Sequence, residues 1–165
     1  MQIIHCTQKL IKEIKADIDN EVMIESAFGS WHANLLRIER RKCVLFTNDR
    51  TLLSIFVPGL KKQDFNDLQK VFRHNLFIYL LEENSPSSFI GKLSREYAII
   101  RFTKSNSRSV LGSMNDIAYH IKMRIEMKGG LSSINLLDIN KGLNRIPMGA
   151  IGYKFAIEEF LSQEI

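Results

Sequence analysis

The chain has 165 residues, 45% hydrophobic and 25% charged, with nine Gly and three Pro, a composition that supports a buried core and excludes disordered and collagen-like classes. A chain of this length is expected to form a single domain. Lys and Arg number 23 against 18 Asp and Glu, a formal net charge of +5, which favours acidic partners without specifying one.

The opening MQIIHCTQKLIKEIKADID lacks the basic, apolar and small-residue regions of a secretory leader, so the expected location is cytoplasmic. Within it Leu10, Ile11, Ile14 and Ile18 fall at helical spacing with Thr7 upstream as N-cap, which predicts a helix over Thr7 to Asp19. Trp31 to Ile38, Lys42 to Thr47 and Thr51 to Val57 are rich in Val, Ile, Phe and Thr and read as strands. Only Glu39 to Arg41 and Asn48 to Arg50 separate them. Links so short predict an antiparallel meander, because parallel neighbours need a crossover of about a dozen residues or more. Pro58-Gly59 closes the strand run.

From Lys62 onward Phe65, Leu68, Phe72, Leu76 and Tyr79 recur every three or four residues and predict a long helix. The longest apolar run, LFIYLL at Leu76 to Leu81, is far short of the roughly 20 residues of a membrane span. ENSPSS, Glu83 to Ser88, reads as a loop, and YAIIRFT, Tyr97 to Thr103, as a fourth strand. A second helix carries Val110, Leu111, Met114, Ile117, Ala118, Ile121 and Ile125 on one stripe, capped by Ser107 or Ser109 and stopped by Gly129-Gly130. A short helix from Ser133 to Lys141 and a last one from Tyr153 to Leu161 complete the chain. Without βαβ alternation, this order predicts an α+β fold: an antiparallel sheet of about four strands with helices packed on it, only one face needing burial.

Strand alternation puts His32, Asn34, Leu36 and Ile38 on one face and Trp31, Ala33, Leu35 and Arg37 on the other. A two-residue turn at Arg40-Arg41 sets His32 opposite Asp49 and Asn34 opposite Thr47; a three-residue loop sets His32 opposite Asn48. Either register makes His32 a candidate general base, oriented by Asp49 or Asn48, since a polar partner fixes the imidazole tautomer. The competing reading is a surface hydrogen-bond pair, with Asn48-Asp49 as an ordinary turn former. Trp31 reads as a core or rim aromatic that, if exposed, stacks on a base.

Cys6 and Cys43 lie far apart without CxxC spacing and read as buried thiols rather than a disulfide. His5, Cys6, His32 and Cys43 lack the close spacing of structural zinc sites, and adjacent His5 and Cys6 would point opposite ways on a strand, so no metal site is predicted. GxxxxGK[ST], GxGxxG, HExxH and GxSxG motifs are all missing, and no cofactor is expected.

Arg37, Arg40, Arg41 and Lys42 cluster at the first hairpin and, with Trp31, are the candidate nucleic-acid contacts. Lys61, Lys62, Lys70 and Arg73 follow the first long helix, and Lys92, Arg95, Arg101, Lys104 and Arg108 surround the fourth strand. On one side of the fold these residues form a phosphate-backbone surface; scattered among Glu39, Asp64, Asp67 and Glu96 they are ordinary solvated charge. In TKSNSRSVLGSMND, Arg108 and Ser109 open a helix whose free N–H groups suit an anion.

SWHANL (Ser30 to Leu35), VLFTND (Val44 to Asp49), GLKKQDF (Gly59 to Phe65), FTKSNSRSVLGSMND (Phe102 to Asp116) and NRIPMGAIGYKF (Asn144 to Phe155) together resemble an uncharacterised bacterial domain family. The resemblance covers most of the chain. It implies a small bacterial domain and transfers no catalytic residue. The expected function is a non-enzymatic binding module for nucleic acid or an acidic protein partner. The alternative is a small metal-independent enzyme acting on a phosphate-bearing substrate, with His32 as base and Arg108 holding the anion. A sheet edge and the apolar stripes of the long helices allow a homo-oligomer without requiring one.

Overall fold

A computed structural model describes residues 1–21 and 24–163. The pentapeptide Gln2–Cys6 forms a strand, β1, buried along its whole length. The helix expected over Thr7 to Asp19 is correspondingly short: α1 spans Gln8–Ile11. Leu10 and Ile14 keep the inward positions that their spacing assigned. A helix of one turn has little stability of its own, and after Lys12 the chain returns to the sheet, where Ile18 bridges Phe102.

The meander follows as β2 (Trp31–Ile38), β3 (Arg41–Asn48) and β4 (Ser54–Val57), paired antiparallel. Its first turn is Glu39-Arg40 rather than Arg40-Arg41, with φ of 50° and 65° at the two residues, the left-handed pair that suits the twist of a two-residue hairpin. The Glu39 carboxylate accepts the Leu131 N–H at 3.0 Å and so holds this turn in place. The register is therefore His32↔Thr47 and Trp31↔Asn48, which corrects both expected pairings of His32.

Beyond β4 the expected long helix is broken at Asp67 into α2 (Lys62–Asn66) and α3 (Leu68–Glu82). ENSPSS is only partly a loop, since α4 (Ser87–Glu96) begins inside it. Phe89, Leu93 and Tyr97 sit at helical spacing, and Leu93 and Tyr97 are fully buried, so the next strand, β5, starts only at Ile100 and runs to Lys104. Helix α5 spans Arg108–Met127 with Ser107 as the N-cap, its hydroxyl accepting from the Val110 N–H. Helices α6 (Leu136–Leu143) and α7 (Ala156–Leu161) close the chain.

The sheet has five strands in the order β4-β3-β2-β1-β5. It is mixed, not antiparallel: β1 runs parallel to both β2 and β5, because the chain between β1 and β2 and that between β4 and β5 are long enough to cross over. The fold is α+β, as expected, but both faces are buried. One face, with Ile4, Trp31, Phe46 and Phe102, packs on α3, α4 and α7 through Phe72, Leu93 and Phe160. The other, with Leu36, Leu45 and Phe56, packs on α5 and α6. Among the described residues no helix is long and apolar enough to cross a membrane.

The outer edge of β4 is closed by side chains. Asn144 accepts from the Ser54 N–H at 2.7 Å and donates to the Ser54 carbonyl at 2.8 Å. Asn140 does the same for Phe56, at 2.8 and 3.2 Å.

Candidate functional site

On the face that packs on α5 and α6, one register row crosses all five strands: Thr103 of β5, His5 of β1, His32 of β2, Thr47 of β3 and Ser54 of β4. Every member is polar and every member is buried. Buried polar groups require partners, and the row supplies most of them internally. Thr103 Oγ1 lies 2.5 Å from His5 Nδ1, and Thr47 Oγ1 lies 2.9 Å from Ser54 Oγ. The His5 and His32 rings are 4.9 Å apart between centroids.

Asp49, just past the end of β3, reaches back to this row. Its Oδ1 lies 2.6 Å from His32 Nδ1, and its Oδ2 is 4.0 Å from His5 Nε2. A carboxylate only accepts, so His32 Nδ1 carries a proton and donates to Asp49. Among the described residues the His32 Nε2 is buried without a hydrogen-bond partner. Burial, then repulsion from His32, hold the His5 imidazole below its ordinary range, against the opposing pull of Asp49. The expected His32–Asp49 contact thus exists without the expected register: Asp49 meets His32 diagonally. His5, set aside with the metal reading, joins it because QIIHC is a strand. Among the described residues no three His, Cys, Asp or Glu side chains are arranged to hold a metal ion.

Asn48 does not orient His32. Its amide donates to the Phe28 carbonyl at 2.9 Å, and its Oδ1 accepts from the N–H groups of Arg50 and Thr51, so it ties the turn after β3 to the loop before β2. Trp31 lies on the opposite face, wholly buried. Its Nε1 donates to Tyr97 Oη at 2.7 Å and its ring meets Phe72 edge-on, so it has no face free for a base. Cys6 and Cys43 are free and buried in the cores on opposite faces of the sheet, and burial pushes the Cys6 thiol up to about 12.

Arg108 and Ser109 are exposed at the start of α5, and no hydrogen bond or ion pair among the described residues joins Arg108 to the His32–Asp49 pair. Arg37, Arg40 and Arg41 are exposed around the β2–β3 hairpin. Arg37 Nη2 lies 4.0 Å from Glu13 Oε1, and Lys42 is engaged more closely, 2.7 Å from Glu13 Oε2 and 5.9 Å above the Phe65 ring.

Arg37 leads into a groove of about 650 Å³ between α1, β2 and α5. Lys9 and Lys12 stand on its α1 wall, Asn115, Tyr119 and Lys122 on its α5 wall, and Asn34 to Arg37 form its floor. Its one carboxylate, Glu13, is bonded by Lys42. Lys9, Lys12 and Lys122 are exposed and form no ion pair among the described residues, leaving their charge to the groove. No spacing in the chain announces this convergence, since Lys122 meets the α1 lysines only through the fold.

A family model described as a domain of unknown function (DUF6933) matches residues 3–159. No curated protein matches the chain.

Proposed function

We propose, from the premise that the chain belongs to the DUF6933 family, that it is a non-enzymatic binding module for an anionic partner, a nucleic acid or an acidic protein segment. The groove between α1, β2 and α5 is its binding surface. The observation that carries this reading is the convergence of Lys9, Lys12, Arg37 and Lys122 there, with the groove's only carboxylate already neutralised. Tyr119, 64% exposed on the α5 wall, adds a π-face and a hydroxyl. Arg40 and Arg41 extend the positive surface past the groove's mouth at Arg37.

Fluorescence anisotropy at low salt, with labelled single- and double-stranded DNA and RNA and a labelled polyglutamate peptide, tests the reading. Binding should weaken steeply with salt, as release of counterions or screening of four cations requires. The Lys9→Glu, Lys122→Glu double variant should lose about tenfold or more, at roughly 1 kcal/mol for each reversed contact. No binding to any probe at low salt ends the proposal.

One observation favours a second reading, a small metal-independent enzyme acting on a phosphate-bearing substrate: the 2.6 Å contact between His32 and Asp49. Full burial of the His32 ring counts against it, because a general base must reach the proton that it removes. Turnover of bis(p-nitrophenyl) phosphate that disappears in a folded His32→Gln variant supports the enzyme; no turnover by the parent chain removes it.

A further inference from the structure

Both outer edges of the sheet are closed. Asn140 and Asn144 cover β4, while Ile18 and Asp19 lie along β5, the Asp19 N–H donating to the Phe102 carbonyl at 2.9 Å. An edge inside the sheet is treated differently. β1 accompanies β2 only as far as Cys6↔Ala33. The Thr7 N–H then donates to the Ala33 carbonyl, and the Thr7 carbonyl turns to accept from Ile11 as the first bond of α1. From Asn34 to Ile38, β2 has β3 on one side and, among the described residues, no strand on the other.

Backbone groups alternate sides along a strand. Since Ala33 aims its carbonyl away from β3, Leu35 and Arg37 aim both N–H and C=O the same way. Among the described residues these four groups have no hydrogen-bond partner. They lie at the floor of the basic groove, which Leu35 and Arg37 line. Beside them Asn34 accepts from the Thr7 hydroxyl at 2.9 Å, and its amide nitrogen makes no bond within the described chain.

We infer that the groove receives an extended acidic peptide as an added strand on β2, paired with the backbone of Leu35 and Arg37. This rests on the reading of the groove as an anion-binding surface and names its partner. The open edge alternates donors and acceptors at strand spacing, the pattern that another peptide main chain completes. A phosphate backbone supplies acceptors alone and would leave the Leu35 and Arg37 carbonyls unpaired on desolvation. Acidic side chains on the added strand meet Lys9, Lys12 and Lys122, whose charges hold the open edge soluble when the groove is empty.

The test uses the full chain, a fluorescein-labelled alternating glutamate–valine octapeptide, the same peptide N-methylated at every residue, and labelled single-stranded DNA. In the free chain the amides of Leu35 and Arg37 should exchange with solvent about tenfold or more faster than those of Asn34 and Leu36, which pair with β3. Saturation with the unmodified peptide should slow both open amides, and N-methylation should weaken binding about tenfold or more, as loss of main-chain hydrogen bonds requires. Equal affinity for the two peptides with Leu35 and Arg37 exchange unchanged overturns strand pairing while leaving the groove an anion site. So does binding of the DNA but not the peptide. Slow exchange of Leu35 and Arg37 in the free chain also overturns it, and binding of no probe removes this inference together with the functional reading beneath it.

Discussion

His32 Nδ1 lies 2.6 Å from Asp49 Oδ1 although the two residues are not opposite each other in the sheet, where His32 faces Thr47. The contact spans a buried donor and a carboxylate that is 23% exposed. Asp49→Ala strands the His32 N–H in the core, and the expected cost is about 1–3 kcal/mol, the penalty for an unpaired buried polar group. Asp49→Asn retains an acceptor and should cost less. Urea unfolding of the two variants checks the order; both matching the parent chain would show that the pair contributes nothing to stability.

The other imidazole makes stability depend on pH. Burial and then His32 lower the His5 pKa from its ordinary 6.5, with Asp49 and the Lys104 backbone opposing. The unfolded chain therefore binds a proton at His5 at a higher pH than the folded chain does. Between those two values the unfolded state holds more protons, so stability rises with pH. The contribution is complete above 6.5 and is lost as pH falls through the lower folded value. His32, Asp49 and Thr103 are the groups that face His5. His5→Gln should flatten the curve of urea midpoint between about pH 7.5 and 5, and an unchanged slope would place the dependence elsewhere.

Much of this arrangement is legible in the chain, and the failures have physical causes. Trp31 to Ile38 coincides with β2 because the short polar turn that follows and the strand-forming run beyond it mark a hairpin arm even where both faces are buried. Of the stripe on α5, all but Leu111 are buried, since 3.6-residue spacing is insensitive to what packs on it. The pairing of His32 with Asp49 survives a register error because a carboxylate one residue beyond β3 can reach diagonally. QIIHC misleads because a short run with three apolar residues before a helical pattern serves equally as a strand or as a lead-in. Only a partner more than ninety residues away, β5, makes it a central strand. With that strand unseen, His5 is lost, and so is the place where β1 stops and opens the groove.

The chain's only Trp gives a direct optical check of the burial order. Trp31 is wholly enclosed and bonded to Tyr97, so its emission should be blue-shifted and resistant to iodide quenching. It should not change when an oligonucleotide or peptide binds in the groove. Trp31→Ala should cost about 3–5 kcal/mol, as for other large core truncations. Emission at the wavelength of free tryptophan, or strong iodide quenching, would contradict this placement.

The closure of β4 by α6 depends on a match of two periods. Four residues along a helix advance roughly 6 Å, and two residues along a strand advance roughly 6.7 Å, so Asn140 and Asn144 meet Ser54 and Phe56 in step. Each carboxamide satisfies one N–H and one C=O, as a neighbouring strand would. Asn144→Ala leaves both Ser54 backbone groups buried and unpaired, at an expected cost of about 2 kcal/mol or more. Asn140→Ala does the same at Phe56. Because the two residues close one edge, the double variant should expose it for strand pairing between molecules. Its expected signature is a concentration-dependent rise in light scattering below the unfolding transition, seen in neither single variant; a double variant that stays monomeric would show that the edge is protected by something other than these side chains.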